Sequence, residues 1–222
     1  MSNLPQTDSA SVAVVTGGHA YDVPGFHALF RNLSGADCYI QHMEDFVSDA
    51  GQVRQDYDVV LFYNMPGGAP QPELEGYQGR IAGVLEELGS RSQGVFVLHH
   101  GILAYPDWPF WSDLIGMVER SFTFHHDEQL HVEIAQHDHP ITAGLSAWEM
   151  VDETYVMAEP DADNDILLTV DHPRSTVAIA WSRTFRQAPV FCFQSGHDNK
   201  TYANPHFRRI VERGIQWCAG RL

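Results

Sequence analysis

Histidine is abundant in this chain, at 13 of 222 positions, and three histidines stand where a short apolar run gives way to glycine. Leu98-His99-His100-Gly101 ends the run 94–98, Thr16-Gly17-Gly18-His19 ends the run 11–16, and Ser195-Gly196-His197-Asp198 lies just beyond the run 189–193. A fourth loop, Met65-Pro66-Gly67-Gly68, follows the run 57–63. Imidazole shuttles protons near neutral pH or ligates a metal. Glycine turns the backbone tightly and leaves N–H groups free for an anion or a developing oxyanion. Gly18, Gly67 and Gly68 are therefore candidate ligand contacts, and His19, His99 and His197 could together hold one divalent ion, zinc or manganese.

A fifth segment, Asp152-Glu153-Thr154-Tyr155, places an acid and a phenol two residues apart. On an extended backbone both project to one face, so Glu153 and Tyr155 can address one site. Blander readings stand beside these. Gly67-Gly68 is first a turn, one ring of the His99-His100 pair packs or caps, and Glu153 is solvated if its strand lies at an edge. His125 and His126 fit a solvated loop, His137 and His139 a surface turn, and His27, His42, His172 and His206 structural positions. The coincidence of histidine at three strand ends raises these loops above the rest.

The elements that must position them alternate. Strands are expected at 11–16, 36–43, 57–63 and 94–98, with helices at 24–33 and 74–88. The second helix follows from Ile81, Val84, Leu85 and Leu88 at helical spacing. Near-continuous apolar strands separated by helices imply a parallel sheet covered on both faces, with ligands beyond the strands' carboxyl ends. Farther on the rhythm changes: 129–135 alternates, 165–170 and 176–181 follow with short links, and 189–193 precedes a closing helix over 205–219. Phe207, Ile210, Val211 and Ile215 give that helix its buried face. The expectation is a frayed tail over 1–10 and one α/β domain over 11–222, a doubly wound parallel sheet of flavodoxin type with an antiparallel β extension.

Composition narrows the function. The hydrophobic fraction of 44% against 19% charged residues supports a real core. The charge balance is −16 with Lys200 the single lysine, which disfavours nucleic-acid and membrane-surface partners. No GxSxG elbow, GxGxxG or P-loop pattern occurs, so no nucleotide cofactor is expected. No apolar run approaches a membrane span. Cys38, Cys192 and Cys218 are sparse and odd in number, as expected of buried thiols in a reducing cytoplasm.

The stretch His137-Asp138-His139-Pro140-Ile141-Thr142-Ala143-Gly144-Leu145, then Asp152-Glu153-Thr154-Tyr155, resembles the "DHPIT.GL … DE.Y" signature of ThuA-like (trehalose utilisation) proteins. Thr16–His19, Gly196–Asp198 and the terminal 207–220 segment fit the same pattern. The resemblance implies the class I glutamine amidotransferase-like fold. It puts His99 where that superfamily carries a nucleophilic cysteine, an oxyanion loop at Gly67-Gly68 and a general base at His197. The triad acid falls on Asn199, with Asp198 next door.

With no cysteine at the elbow, a thiolate route and glutaminase activity are not expected. The family context implies a small sugar derivative as partner, a keto-sugar undergoing isomerisation, elimination or hydrolysis. His197 or Glu153 would abstract a proton, and His99, His19 or a divalent ion would polarise the carbonyl. Tyr155 would donate to the developing oxygen. His125 and Asp198 are further candidate contacts, and Trp108, like Tyr105 and Trp111, could stack on the sugar. The alternative is a non-catalytic sugar or anion-binding module on the same scaffold; a homo-oligomer stays open.

Overall fold

The structure, a computed structural model, describes residues 8–222. Its strands are β1 (Ala10–Gly17), β2 (Ala36–His42), β3 (Val59–Asn64), β4 (Gly94–Leu98), β5 (Thr123–Ile134), β6 (Trp148–Val156), β7 (Asp165–Val170), β8 (Ala178–Phe185) and β9 (Ala188–Phe193). Its helices are α1 (Val23–Arg31), α2 (Met43–Ser48), α3 (Ile81–Leu85), α4 (Pro109–Ile115), α5 (Asn199–Ala203) and α6 (Pro205–Cys218). All nine strands join one sheet, ordered β2-β1-β3-β4-β9-β8-β7-β5-β6. The first five are mutually parallel and the remaining neighbours are antiparallel.

Alternation along β1 shows why the parallel part must be covered on both sides. Val12 and Val14 enter a core with Phe26 and Phe30 of α1 and Phe207, Ile210, Val211 and Ile215 of α6. Ala13 and Val15 enter a second core with Phe46, Leu85, Leu114 and Ile115. Fully burying each such large side chain contributes roughly 1.5–3 kcal/mol. Helix starts are capped as their sequences suggest: Asp22 Oδ1 accepts from the Gly25 amide at 3.1 Å, and Asn204 Oδ1 from His206 and Phe207 at 2.9 and 3.2 Å. Such caps contribute about 1 kcal/mol each.

Four boundaries differ from expectation, one of them the strand expected over 176–181, which runs instead over Ala178–Phe185. Ala10 is strand rather than tail: it is fully buried and pairs with Ala36, while residues 1–7 of the expected tail lie outside the described residues. The helix expected over 74–88 shrinks to the five residues of α3, preceded by a 3-10 turn at Gln78–Arg80. Gly76 turns at φ +74°, and a Cβ on Gly79 would lie 2.0 Å from the Leu74 carbonyl oxygen, so the chain folds back where a helix would run on. Finally, β5 starts at Thr123 rather than at 129. Only its end, Val132–Ile134, pairs with β7, whereas 123–132 pairs with β6. The β5–β6 hairpin therefore projects past β7, and it brings β6 against the parallel half, where the Tyr155 hydroxyl meets His99.

Candidate active site

The end of β4 is bent sharply. His99 sits at φ +54°, an uncommon conformation for a residue that is not glycine, and begins a 3-10 turn over His99–Leu103. Gly101 passes so close to β3 that a Cβ would lie 2.7 Å from the Phe62 carbonyl oxygen. His99 is fully buried, and its Nδ1 lies 2.8 Å from the Gln194 carbonyl. A carbonyl only accepts, so Nδ1 carries the proton and the Nε2 lone pair faces the site. Burial, and then His100, hold the His99 pKa well below the usual imidazole range. His99 is thus a neutral acceptor, which does not suit it to polarise a carbonyl as a cation. Its neighbour turns away: the His100 ring packs on Tyr63 and His19, and burial pushes its pKa down to about 3.

β6 brings the acid and the phenol. It is the edge strand, yet Glu153 and Tyr155 are only 7% and 2% exposed. The Tyr155 hydroxyl donates to His99 Nε2 at 3.0 Å. The Glu153 carboxylate meets three imidazoles: His126 Nδ1 at 2.8 Å, His197 Nδ1 at 3.4 Å and His99 Nε2 at 3.6 Å. Burial, then Glu153, raise the Tyr155 pKa well above the ordinary phenol range, so the hydroxyl keeps its proton.

His197 is held by a residue to which the sequence pattern assigns no role. Asp152, 3% exposed, accepts from the amides of Gly196 (2.9 Å), His197 (3.1 Å) and Glu153 (2.9 Å) and from Thr201 Oγ1 (2.7 Å). Burial pushes its carboxyl up to about 6, against the pull of those four donors, which favour the ionised form. Asp152 and Glu153 thus divide their work: one ties down the loop that carries His197, and the other faces its ring.

Glu153, Tyr155, His126 and His197 floor a cleft of about 260 Å³ walled by His19, Met65, Leu103, Phe122 and Phe124, with His99 and Asp152 buried behind them. Phe124 pairs with Tyr155 across the hairpin, so Phe122, Phe124 and His126 share the face of Tyr155 and Glu153. His125 pairs with Thr154 on the other face; the cleft histidine is His126, not His125. Other expected contacts also fall elsewhere. Trp108 packs on Tyr105 and Phe110, away from the cleft. Asp198 caps α5 by accepting from the Lys200 amide at 2.8 Å. Gly67 and Gly68 do not line the cleft, and Gly18 lies against the Met65 backbone. Asn199 opens α5 as an exposed residue, so the acid beside His197 comes from β6 instead.

Among the described residues, donor atoms of His99, Glu153 and His197 lie within 4.8 Å of one another. Two imidazoles and a carboxylate suit a divalent ion such as zinc or manganese, and the unprotonated His99 Nε2 fits that use once the Tyr155 hydroxyl turns away from it. His19 does not join this group; it lines the cleft with its ring tilted against His100, and Glu153 stands in its stead. The three thiols lie in β2, β9 and α6, outside the cleft.

An elbow at the end of a central parallel strand, facing a histidine loop, defines an amidotransferase-like α/β protein whose elbow bears imidazole in place of thiol. The chain belongs to the ThuA family, described as trehalose utilisation, whose family model matches residues 12–218. It is similar in fold to a protein described as ThuA-like from Parabacteroides merdae, at 19% identity over 95% of this chain and 90% of that one, with TM-score 0.72. A second such protein, from Bacteroides uniformis, shares 14% identity over 97% and 94%, with TM-score 0.69. A cytoplasmic protein from Salmonella typhimurium shares 12% identity over 93% and 98%, with TM-score 0.62. No curated protein matches the sequence significantly. No helix among the described residues is long and apolar enough to cross a membrane.

Proposed function

We propose that the protein is an enzyme of sugar metabolism that performs acid–base chemistry on a keto-sugar, by isomerisation, elimination or hydrolysis, and that it is not a glutaminase. The observation that carries this is the Glu153 carboxylate meeting three imidazoles at the floor of an aromatic-walled cleft. A C–H beside a ketone is acidic enough for a positioned carboxylate or imidazole to remove. Glu153 or the half-buried His197 takes that proton. The Tyr155 hydroxyl, kept protonated, swings its one proton from His99 Nε2 to the oxygen on which charge develops. Phe122 and Phe124 offer flat apolar faces to the C–H side of a sugar ring. His99, Glu153 and His197 would hold a divalent ion, which when bound polarises a carbonyl.

The elbow without a nucleophile favours a second reading, a sugar-binding module without turnover. An anion ligand is disfavoured, because no lysine or arginine lines the cleft. Proton exchange and product formation from a keto-glycoside, followed by NMR in deuterated water, separate the two. The enzyme reading expects both, with Glu153→Gln slower by roughly 10²–10⁴-fold at unchanged circular dichroism. Binding with neither exchange nor product would establish the module instead.

A further inference from the structure

A second cavity, of about 200 Å³, opens beside the first. It lies between the ends of β1 and β3, where the order β2-β1-β3-β4 reverses the direction of winding. Open α/β sheets admit ligands at such switch points, because the connecting segments diverge there and leave a crevice. Gly17 ends β1 opposite Asn64, which ends β3. The carbonyl carbon and oxygen of Met65 would lie 2.8 Å from a Cβ on Gly18, so this backbone contact walls the cavity from the His–Glu cleft. Gly18, expected as a contact in the main cleft, lines this cavity instead.

Two buried polar side chains line it without well-formed hydrogen bonds. Asn64 is 1% exposed, and neither its Oδ1 nor its Nδ2 makes a hydrogen bond. The Tyr105 hydroxyl has no partner in good hydrogen-bond geometry either; the Asn64 amide faces it and pulls its pKa down against burial, so the two groups can satisfy each other only in part. Buried polar groups are nearly always paired, so a poorly paired amide and phenol lining one cavity call for a ligand. Tyr105 is also held in place with effort. Its φ of +49° is an outlier for an aromatic residue, fixed by its own amide donating to the Pro66 carbonyl at 3.0 Å and by buried Arg120 donating to its carbonyl at 2.9 Å.

The lining fixes the ligand's chemistry. No lysine, arginine, aspartate or glutamate borders the cavity, its one imidazole, His42, spends Nδ1 on accepting from the Glu44 amide, and Tyr77, Pro66 and Ile81 supply apolar walls. A charged ligand would lose its hydration with no counter-charge to replace it. We infer that this cavity is a second binding site, for a neutral polyhydroxylated ring whose hydroxyls pair with Asn64 and Tyr105 while its C–H face lies on Tyr77. An amide can donate and accept at once, which matches adjacent hydroxyl groups. The site does not depend on the chemistry proposed for the main cleft.

Calorimetric titration with D-glucose, with glucose 6-phosphate as the charged comparison, tests it. Glucose is expected to bind the native protein and the Glu153→Gln variant alike, and the phosphate at least tenfold more weakly. Asn64→Leu is expected to weaken glucose tenfold or more while leaving the Tm of the free protein equal or higher, since it removes a poorly paired amide. Tyr105→Phe is expected to weaken glucose at least threefold. The proposal is overturned if the native protein binds no glucose, or if binding is lost in Glu153→Gln and kept in Asn64→Leu. It is equally overturned if Asn64→Leu lowers Tm with affinity unchanged, the mark of a hydrated structural amide. Should Asn64→Leu fail to fold, an unchanged affinity in Tyr105→Phe overturns it alone.

Discussion

The parallel and antiparallel halves of the sheet contribute in different ways. Every residue of β3 and β4 is buried, whereas β5 alternates toward its end and leaves its first residues largely exposed. The parallel half supplies position: a bent elbow at His99 and a loop that presents His197, both backed by cores on two faces. The antiparallel hairpin supplies the groups proposed to react, Glu153 and Tyr155, with His126 beside them. In an amidotransferase-like scaffold whose elbow has no thiol, the proposed chemistry rests on the strand laid across it. The two halves can therefore be perturbed separately.

The largest contrast is in stability. Phe96 in β4 is fully buried, and Phe124 on the hairpin is 52% exposed. Phe96→Ala is expected to cost about 3–5 kcal/mol in urea unfolding and Phe124→Ala no more than about 0.5 kcal/mol. Similar losses for both would show that the hairpin's outer face is packed as tightly as its inner one, which shares a core with Phe96. A smaller effect sharpens the hairpin's own two faces. His126→Ala should slow keto-sugar turnover about tenfold, or about 1.4 kcal/mol, while His125→Ala leaves it unchanged; equal effects would undo the assignment of faces.

The mildest test concerns thiols. Burial pushes the Cys38 thiol up to about 12 and raises those of Cys192 and Cys218. At pH 8 the Cys38 thiolate fraction is then on the order of one in ten thousand. Iodoacetamide should leave all three unmodified at pH 8 in the native protein and label all three in denaturant. Because the thiolate is the reactive form, labelling of Cys38 should speed up about tenfold per pH unit as pH rises toward 12. Rapid native labelling at pH 8 would contradict this burial.

The parallel strands are legible in the sequence because residues buried on both faces form unbroken apolar runs, and their observed ends fall within two residues of the expected ones. The helix expected over 74–88 fails for a specific reason. Ile81, Val84, Leu85 and Leu88 do pack on the second core, but Gly76 and Gly79 before them break the backbone that periodicity assumes. The start of β5 is hidden by exposure and by a register shift between His125 and Glu128. That same irregularity makes His125 and His126 indistinguishable until the pairing of Phe124 with Tyr155 is known. Glu153 and Tyr155 can be paired from their two-residue spacing, and His99 and His197 from their places at strand ends. Asp152 cannot be read, because its partners are mostly backbone amides and those of Gly196 and His197 lie far along the chain. The signature at 137–145 forms a turn, with Thr142 donating to the Gln136 and His139 carbonyls.

The bonds from Asp152 to the Gly196 and His197 amides span 44 and 45 residues. Closing so long a loop is entropically slow, so contacts of this range form late in folding. The Glu153–His197 pair is thus assembled only once β6 has docked against the last strand and its loop. A chain whose β6 is undocked lacks the cluster whatever the state of its elbow, so the proposed site reports on that docking.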